Sequence, residues 1–454
     1  MSATPDQWPE ANQRPAAVAI EEEPEENPFI VLERKALIET CHTWRKPLRA
    51  LNTIPHLPQS DLPVLDVFVE RFIDAFAPDD RIDCGSSDAI RSAGSVRMFS
   101  PLLSDAFHAV SIAYFGQFSG NWRVGFAGYN IYTRVLRRLQ SALFHPEQSR
   151  SEGVFATVIL LMAYESLQHT TERALINHCI HALKLIEFRG PYSHMFGMEH
   201  QCFTELLPYW VSTALVLRAP TFLARPEWKT IPWSAETSSK DIMASLLEQV
   251  VDLPAILYQF DQLLAAKKSH LMPQIELASR EAILWNSITN LKSRLIRWKI
   301  EWVDDYPSGQ PYESHMLESE PFPVFEYNNF NTGEMVTPMY LVYPDPQLAR
   351  TMGMYYAARI LLASADTRPP HDGQCREQIE FARLICRSMR YYIQTVPGNM
   401  INRMAFPLRV AFDTFSEGDL ERRYIGAVFQ LVQRKNMLKS WGKFMPDISA
   451  KIIQ

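Results

Sequence analysis

The sequence predicts an all-α protein, a large multi-helix domain. Apolar residues recur at helical spacing (i, i+3, i+4, i+7) through most of the chain, and no run shows the period-two alternation of a strand. The chain has 454 residues, of which 47% are hydrophobic, so it can bury a large core. No internal repeat of fixed length divides it.

The central element is a run of eleven uncharged residues at 154–164. A helix that spans a bilayer needs about 20 apolar residues, so this run is too short to cross one. It predicts instead a helix that is buried on most sides, with Glu165 and Gln168 directly after it.

A second helix follows and ends at a chemically specified stop. Its predicted apolar face consists of Cys179, Ala182, Leu183 and Ile186, with His178 and His181 largely off that face. In the last turn Arg189 suits the helix dipole. Gly190 can adopt the left-handed cap conformation and Pro191 cannot continue a helix, so we expect the helix to end here.

The remaining chain divides into helices and two loops. Helices are predicted at 29–51, 62–76, 101 to about 116, 128–144, 201–217 (with an interruption at Pro208), 238–251, 255–268, 275–302, 346–365, 374–395, 401–413 and 417–434, with a short piece at 436–445. Polar and turn-rich composition predicts loops at 77–98 and 303–345. The aromatic residues of the second loop indicate that it packs down onto the domain.

These patterns give three parts. Residues 1–28 are rich in proline and glutamate and predict a disordered tail. Residues 29–61 form an N-terminal helical extension, and residues 62–454 form the helical domain.

Charge and cysteine spacing exclude several functions. The formal net charge is −6, so the protein lacks the excess of positive charge that binds a phosphate backbone. Direct nucleic-acid binding is therefore not expected. The six cysteines are Cys41, Cys84, Cys179, Cys202, Cys375 and Cys386, and no pair has C-x-x-C spacing. We therefore expect no metal site and no cofactor. Reduced thiols and the lack of a signal peptide at Met1 predict an intracellular protein, nuclear or cytoplasmic and not attached to a membrane.

Two short groups of possible metal ligands are explained without a metal. Asp79, Asp80 and Asp83 fit the D-D-x-x-D pattern that holds magnesium in helical terpene cyclases, but a turn-rich loop surrounds them and no second metal-binding segment follows. A solvated turn is the better interpretation. His178 and His181 could share a metal on one helix, but without a suitably placed carboxylate they are better explained as histidines of a polar face.

Four segments carry a resemblance to a known family. They are PLLSDAFHAVSIAYF at 101–115, LLMAYES with HCIHALKLIEFRGP in the central pair of helices, APTFLARPEWKTIPW at 219–233 and FPLRV at 406–410. Their order resembles the regulatory domain of fungal-specific transcription factors, over about residues 62 to 445. The resemblance implies a helical fold and a role in transcription regulation, and it names no catalytic residue.

The chain departs from that family in one respect. Its members usually carry a six-cysteine, two-zinc DNA-binding cluster in the first hundred or so residues, where this sequence has only Cys41 and Cys84. We therefore expect that it does not bind DNA in the usual way of the family. A DNA-binding partner protein would then be required for regulation.

Five ionisable residues on or beside apolar helices are candidates for a ligand site: His108, Tyr114, Tyr164, Glu165 and His169. Burial would shift their pKa values, and a pocket for a small apolar molecule could use them. Satisfied hydrogen bonds within the core are the alternative explanation. No G-x-S-x-G, P-loop, H-E-x-x-H or dinucleotide motif is present.

The sequence thus leaves three functions open. The first is a transcriptional regulator or co-regulator without its own zinc cluster, in control of a fungal secondary-metabolite pathway. The second is an enzyme of fungal secondary metabolism, of the cyclisation or pericyclic type, which would use the apolar interior as a substrate pocket and would need shape more than catalytic side chains. A plain interaction scaffold is a third possibility.

Overall fold

The structure is a computed structural model that describes residues 62–76, 88–171, 173–235, 239–270, 272–315, 321–329, 331–368, 372–396 and 398–436. The predicted tail, the N-terminal extension, the aspartates of 79–83 and nearly all of the piece predicted at 436–445 lie outside these residues.

The described residues confirm the all-α prediction. The helices are α1 (Leu62–Phe76), α2 (Asp88–Val96), α3 (Pro101–Phe118), α4 (Trp122–Phe144), α5 (Glu152–Gln168), α6 (Ala174–Arg189), α7 (Gly197–Glu205), α8 (Leu207–Leu217), α9 (Pro226–Thr230), α10 (Ile242–Val250), α11 (Leu253–Ser269), α12 (Gln274–Trp302), α13 (Pro346–Ser364), α14 (Asp372–Thr395), α15 (Ala405–Thr414) and α16 (Leu420–Asn436). Short 3-10 turns connect several of them, including Gln148–Arg150, Pro191–His194, Phe222–Ala224, Ile231–Trp233 and Gly398–Met404.

Helix α5 is the buried central helix that the uncharged run predicts. Ser151 caps its start by accepting a hydrogen bond from the backbone N–H of Val154 (3.3 Å). Its side chains from Val154 to Met162 are all buried, because α3, α4, α6 and α7 contact it. No helix of the described residues is long and apolar enough to cross a membrane.

Helices α3 and α4 form a closely packed antiparallel pair in which glycine permits the contact. A Cβ atom on Gly128 would lie 2.8 Å from the backbone nitrogen of Ala113 and 3.0 Å from the carbonyl oxygen of Ala109. One on Gly116 would lie 2.3 Å from the backbone nitrogen of Gly125. These distances are too short for real carbon atoms, so the backbones of the two helices can approach this closely only without side chains here.

We expect Gly128→Ala to destabilise the protein by about 1–3 kcal/mol, because the added methyl group overlaps the backbone of α3. Gly125→Ala in the same helix is the matched control. A Cβ on Gly125 meets nothing within 4 Å, so alanine should stabilise the helix by about 0.5–1 kcal/mol. Urea unfolding of the two variants measures both effects, and equal free energies of unfolding would contradict this packing.

The loop prediction for 77–98 is wrong in its second half, where α2 forms. The helix is short, with nine residues, and its buried face is made of the small side chains Ala89 and Ala93. Gly94 lets the helix sit against α1, since a Cβ there would be 2.5 Å from Ile73 Cδ1. A carboxylate oxygen of Glu205 accepts a hydrogen bond from the Ala89 backbone N–H (3.0 Å) at the start of α2.

Further elements differ from the predictions, and α4 begins at Trp122 instead of at 128. The segment predicted as one helix at 201–217 forms α7 and α8, and Pro208 lies in the first turn of α8, where a missing N–H costs nothing. The loop at 303–345 contains four short strands, β1 (Tyr312–Ser314), β2 (Tyr327–Asn328), β3 (Met335–Val336) and β4 (Tyr340–Val342). They pair antiparallel as β1 with β4 and β2 with β3.

Helix α13 is the central element of the second half, and most of its side chains from Pro346 to Leu362 are buried. It contacts α10, α11, α12, α14 and α15. Gly353 allows the 3-10 turn Gly398–Met404 to approach, because a Cβ there would be 2.8 Å from Met404 Sδ. The aromatic loop packs down as predicted: Phe325 is buried and its ring centroid is 4.9 Å from that of Tyr424 on α16.

Candidate functional site

A buried chain of hydrogen bonds joins α4, α5 and α6 beside the candidate residues. The Tyr132 hydroxyl of α4 donates to Glu165 Oε1 of α5 (2.6 Å). His178 Nε2 of α6 is 3.3 Å from the same hydroxyl. Thr170, just after α5, donates its backbone N–H to Glu165 Oε2 (2.9 Å) and its hydroxyl to Oε1 (2.7 Å).

The geometry of these hydrogen bonds determines which of the groups carry a proton. The Tyr132 hydroxyl uses its proton on Glu165, so His178 Nε2 must carry a hydrogen and donate. Burial lowers the pKa of His178 to about 4, so the ring is neutral at pH 7. Burial also raises the pKa of Glu165, while the hydrogen bonds from Tyr132 and Thr170 oppose that rise.

The Glu165 carboxyl is buried and accepts hydrogen bonds on both of its oxygens. Its residue is fully buried, and three protein donors occupy its two oxygens. A general acid or base must come within hydrogen-bonding distance of a substrate proton, and this carboxyl has no open side. These hydrogen bonds therefore hold helices α4, α5 and α6 together, and they do not present a reactive group to a substrate.

Three of the five predicted ligand residues lie together at this position. The Tyr164 ring stacks on Tyr132 with centroids 4.0 Å apart and planes 5° apart. His169 follows α5 in the left-handed conformation (φ 50°) and its backbone N–H donates to the Glu165 carbonyl (2.9 Å). His169 is also close enough to the Glu165 carboxyl to lower its pKa electrostatically.

The other two predicted residues lie in different surroundings. His108 on α3 is half-buried, and burial lowers its pKa in spite of the nearby carboxylates of Asp105 and Asp66. Tyr114 belongs to an aromatic cluster with α1, where its ring centroid is 5.4 Å from that of Phe76 and meets it edge-on. The assignment of all five residues to a ligand site stays a prediction.

Sequence reasoning missed Tyr132 and placed the α6 histidines on a polar face. His181 is buried, and His178 contacts the hydroxyl of Tyr132 deep between the helices. The reason is that α6 packs on α5 with one side and on α8 with another, so a single apolar stripe does not describe its buried surface. Among the described residues no group of three His, Cys, Asp or Glu side chains could hold a metal ion.

The Arg-Gly-Pro stop forms a second buried polar site. Arg189 ends α6 and forms a buried ion pair with Glu199 of α7. One terminal nitrogen of its guanidinium donates to the carbonyl oxygens of Ser149 (3.1 Å) and Ser151 (3.2 Å). The guanidinium carbon also lies 5.5 Å from the ring centroid of Phe155 on α5. The arginine therefore ties the ends of α6 and α7 to the segment that caps α5.

An aromatic cluster covers the same end of the central helices. The ring of His194 is fully buried, with its centroid 5.2 Å from that of Phe203 and 5.9 Å from that of Trp228. Burial and the charge of Arg189 lower the pKa of His194 to about 3, so this ring is neutral. Beside it is a small cleft of about 20 Å³, lined in part by Trp228, Trp233 and Lys240.

We expect Tyr132→Phe to lower the free energy of unfolding by about 1–3 kcal/mol, because it removes a donor to the buried Glu165 carboxyl and leaves His178 Nε2 unpaired. Tyr164→Phe keeps the stacked ring and is the control, with an expected change within about 0.5 kcal/mol. Urea denaturation at pH 7 compares the two variants. A larger loss for Tyr164→Phe would contradict the assigned hydrogen bonds.

Comparison with known proteins identifies the fold family. The model of the fungal specific transcription factor domain matches residues 50–444, which is most of the chain. The chain belongs to this family. The match contains the central pair of helices with its Arg-Gly-Pro stop, and the structure shows that this stop is a packing element of the fungal specific transcription factor domain.

One relative is similar to part of the chain and adds no function. The protein named Uncharacterized protein AN5342 of Emericella nidulans is 28% identical over 148 residues, which is 32% of this chain and 32% of that protein. The matched part thus spans about a third of the relative. No solved structure matches the chain. Family membership supports a regulatory role for this domain.

Proposed function

We propose that the protein regulates transcription as a partner of a DNA-binding protein. The observation that carries the proposal is the family match over residues 50–444. The net charge of −6 and the lack of C-x-x-C cysteine pairs within the 454 residues support a division of labour, in which a partner contacts DNA. The nucleus is then the place of action.

We propose further that the helical domain senses a small molecule and that the controlled genes belong to a secondary-metabolite pathway. Helical domains can hold apolar molecules between their helices, and the buried core of this one consists mainly of apolar side chains. The buried Glu165 network supports sensing over catalysis, because its carboxyl is enclosed by the protein and is not available to a substrate.

Deletion of the gene in its host, with transcripts and metabolites recorded together, tests the function. The proposal predicts that the transcripts of a set of biosynthetic genes change together, and that reintroduction of the wild-type gene restores them. Unchanged transcripts with accumulation of one intermediate would contradict it. That outcome would favour the enzyme, and purified protein should then be incubated with the intermediate.

The partner is tested by co-purification of the tagged protein from nuclear extract. We expect a protein with a zinc-cluster DNA-binding module to co-purify. The Gly128→Ala variant, whose folding we expect to be impaired, is a control for specific association, since a contaminant would be retained equally by both forms.

A further inference from the structure

Helix α12 carries apolar side chains on its outer side as well as on its buried side. Toward the core it presents Leu284, Ile288, Leu291, Leu295 and Trp298. Four of its five isoleucines are exposed instead: Ile275 (84% exposed), Ile283 (56%), Ile296 (41%) and Ile300 (56%). Isoleucine is among the residues most often found buried, and several exposed together on one helix indicate a surface that another protein covers.

Eight residues form a continuous uncharged stripe along this outer side, which we call the outer stripe. All eight are exposed, and they recur in alternating steps of four and three positions: Ile275, Ser279, Ala282, Asn286, Thr289, Ser293, Ile296 and Ile300. This is the heptad spacing by which two helices pack side by side. The outward face of a surface helix normally carries charged residues, so the lack of charge from 275 to 300 also indicates an interface.

Charged residues of α12 flank the outer stripe, and three of them hold the helix on its own domain. The ion pairs join Glu281 to Lys267 of α11 (2.5 Å), Lys292 to Glu377 of α14 (3.3 Å) and Arg294 to Asp252 (2.7 Å). At one edge of the stripe Arg368, itself paired with Asp366, donates to Thr289 Oγ1 (3.1 Å). These contacts fix the sides of α12 and leave the outer stripe facing away from the domain.

We propose that the outer stripe binds a second copy of this chain, with the two α12 helices antiparallel across a two-fold axis between Asn286 and Thr289. In this arrangement Ile275 packs against Ile300 of the second copy, and the small Ser279 receives Ile296 of the second copy. The small side chains at the centre of the stripe let the two helices approach closely. This inference goes beyond the proposed function and does not depend on it.

The charges beside the outer stripe select the antiparallel orientation. Antiparallel helices place Glu276 opposite Arg297 of the second copy, and the symmetry forms this pair twice. Parallel helices would instead place Lys292 opposite Arg297, which brings two like charges together. Arg297 is exposed and has no ion pair with a described residue. Glu276 contacts only Arg280, through an exposed pair of the kind that contributes little, so both side chains can meet across the axis.

The size of the outer stripe fits a reversible dimer. Helix α12 has 29 residues and is therefore about 43 Å long, and a helix with its side chains is about 10–12 Å wide. A strip of these dimensions covers roughly 400–500 Å² of each copy, about half of the roughly 800 Å² that each partner contributes to a standard interface. Interfaces of this size belong to weak and transient complexes, so we expect a dissociation constant in the micromolar range.

Sedimentation velocity of the purified full chain, at concentrations from about 1 to 100 μM, tests the dimer. We expect the sedimentation coefficient to rise with concentration from that of a monomer to that of a dimer. Ile300→Asp should weaken the association about tenfold or more, because each dimer would bury the introduced carboxylate twice. Val67→Asp on α1 is the matched control, since Val67 is 53% exposed and lies outside the outer stripe. This variant should associate as the wild type does.

Single cysteines introduced on the outer stripe report the orientation through a short bismaleimide cross-linker. In the antiparallel dimer the two copies of position 286 are offset by about 5 Å along the helix axis, whereas the two copies of position 275 are about 38 Å apart. Asn286→Cys should therefore give a cross-linked dimer and Ile275→Cys should not. The wild type is the control for the six cysteines that the chain already has.

A wild-type protein that is monomeric at every concentration, or equal association of Ile300→Asp and Val67→Asp, would overturn the proposal. Cross-linking of both cysteine variants would overturn the antiparallel orientation. Ile300→Asp should keep the Tm close to that of the wild type, because this side chain is exposed in the single chain. If its Tm falls, Ala282→Glu repeats the test at an exposed position where no large apolar side chain is lost, and normal association of that variant would also overturn the proposal.

Discussion

Glu199→Gln is expected to lower the free energy of unfolding by about 3 kcal/mol or more, because it leaves the buried Arg189 guanidinium without its counter-charge. Both side chains are almost fully buried, at 2% and 7% exposed, so water cannot replace the lost partner. The carbonyl oxygens of Ser149 and Ser151 remain as acceptors but carry no net charge. Urea unfolding with an unchanged m-value measures the loss.

The exposed ion pair between Glu187 and Arg225 is a matched control in the same region. Its side chains are 42% and 56% exposed, so Glu187→Gln should cost less than about 1 kcal/mol. The double variant Arg189→Met, Glu199→Leu should lose less stability than Glu199→Gln, since no charge is left buried. If Glu199→Gln and Glu187→Gln cost the same, the buried pair does not stabilise the end of α6.

Acid should unfold the protein at a higher pH than its exposed carboxylates alone would allow. Burial lowers the pKa values of His178 and His181 to about 4 and that of His194 to about 3, against about 6.5 in the unfolded chain. The unfolded state therefore takes up protons first as the pH falls below 6.5. Stability is fully present above that pH and is lost progressively down to about pH 4, at up to about 1.4 kcal/mol per pH unit for each histidine.

Glu165 has the opposite effect on the free energy of unfolding in the upper part of this pH range. Its pKa is raised by burial, so its contribution to stability increases as the pH falls toward its unfolded value of 4.5. One carboxyl with a raised pKa can offset the loss of stability caused by one histidine at most. The net effect of acid is still a loss of several kcal/mol in the free energy of unfolding.

Urea unfolding at pH 7.5 and pH 5.0 measures the difference, and His194→Phe identifies its source. Phenylalanine fits among Phe155, Phe203 and Trp228 and cannot take up a proton. The variant should lose less stability between the two pH values than the wild type does. An identical pH dependence for the two proteins would show that His194 is not neutral and buried in the native state.

The sequence predicts the helices well where a single apolar face is buried by large side chains. It places α12 and α13 within one residue at each end, because their apolar positions are large and regular. It misses α2, whose buried face is alanine, and it does not foresee the α3–α4 contact, because glycines that permit close packing give no hydrophobic signal. Both features depend on a neighbour that is not visible in the local pattern.

The candidate site is predicted only where its residues share one helix. Tyr164 and Glu165 stand out because they are polar groups on an otherwise apolar segment. Tyr132 and His178 join them from other helices. Such pairings follow from tertiary packing, which a periodicity within one segment does not encode.

Chromatin immunoprecipitation of the tagged protein from its host tests the proposed role in transcription most directly. The account predicts enrichment at the promoters of the genes whose transcripts change in the deletion strain, and loss of that enrichment when the DNA-binding partner is removed. No enrichment at any of these promoters, with normal amounts of folded protein, would contradict regulation through a DNA-bound partner.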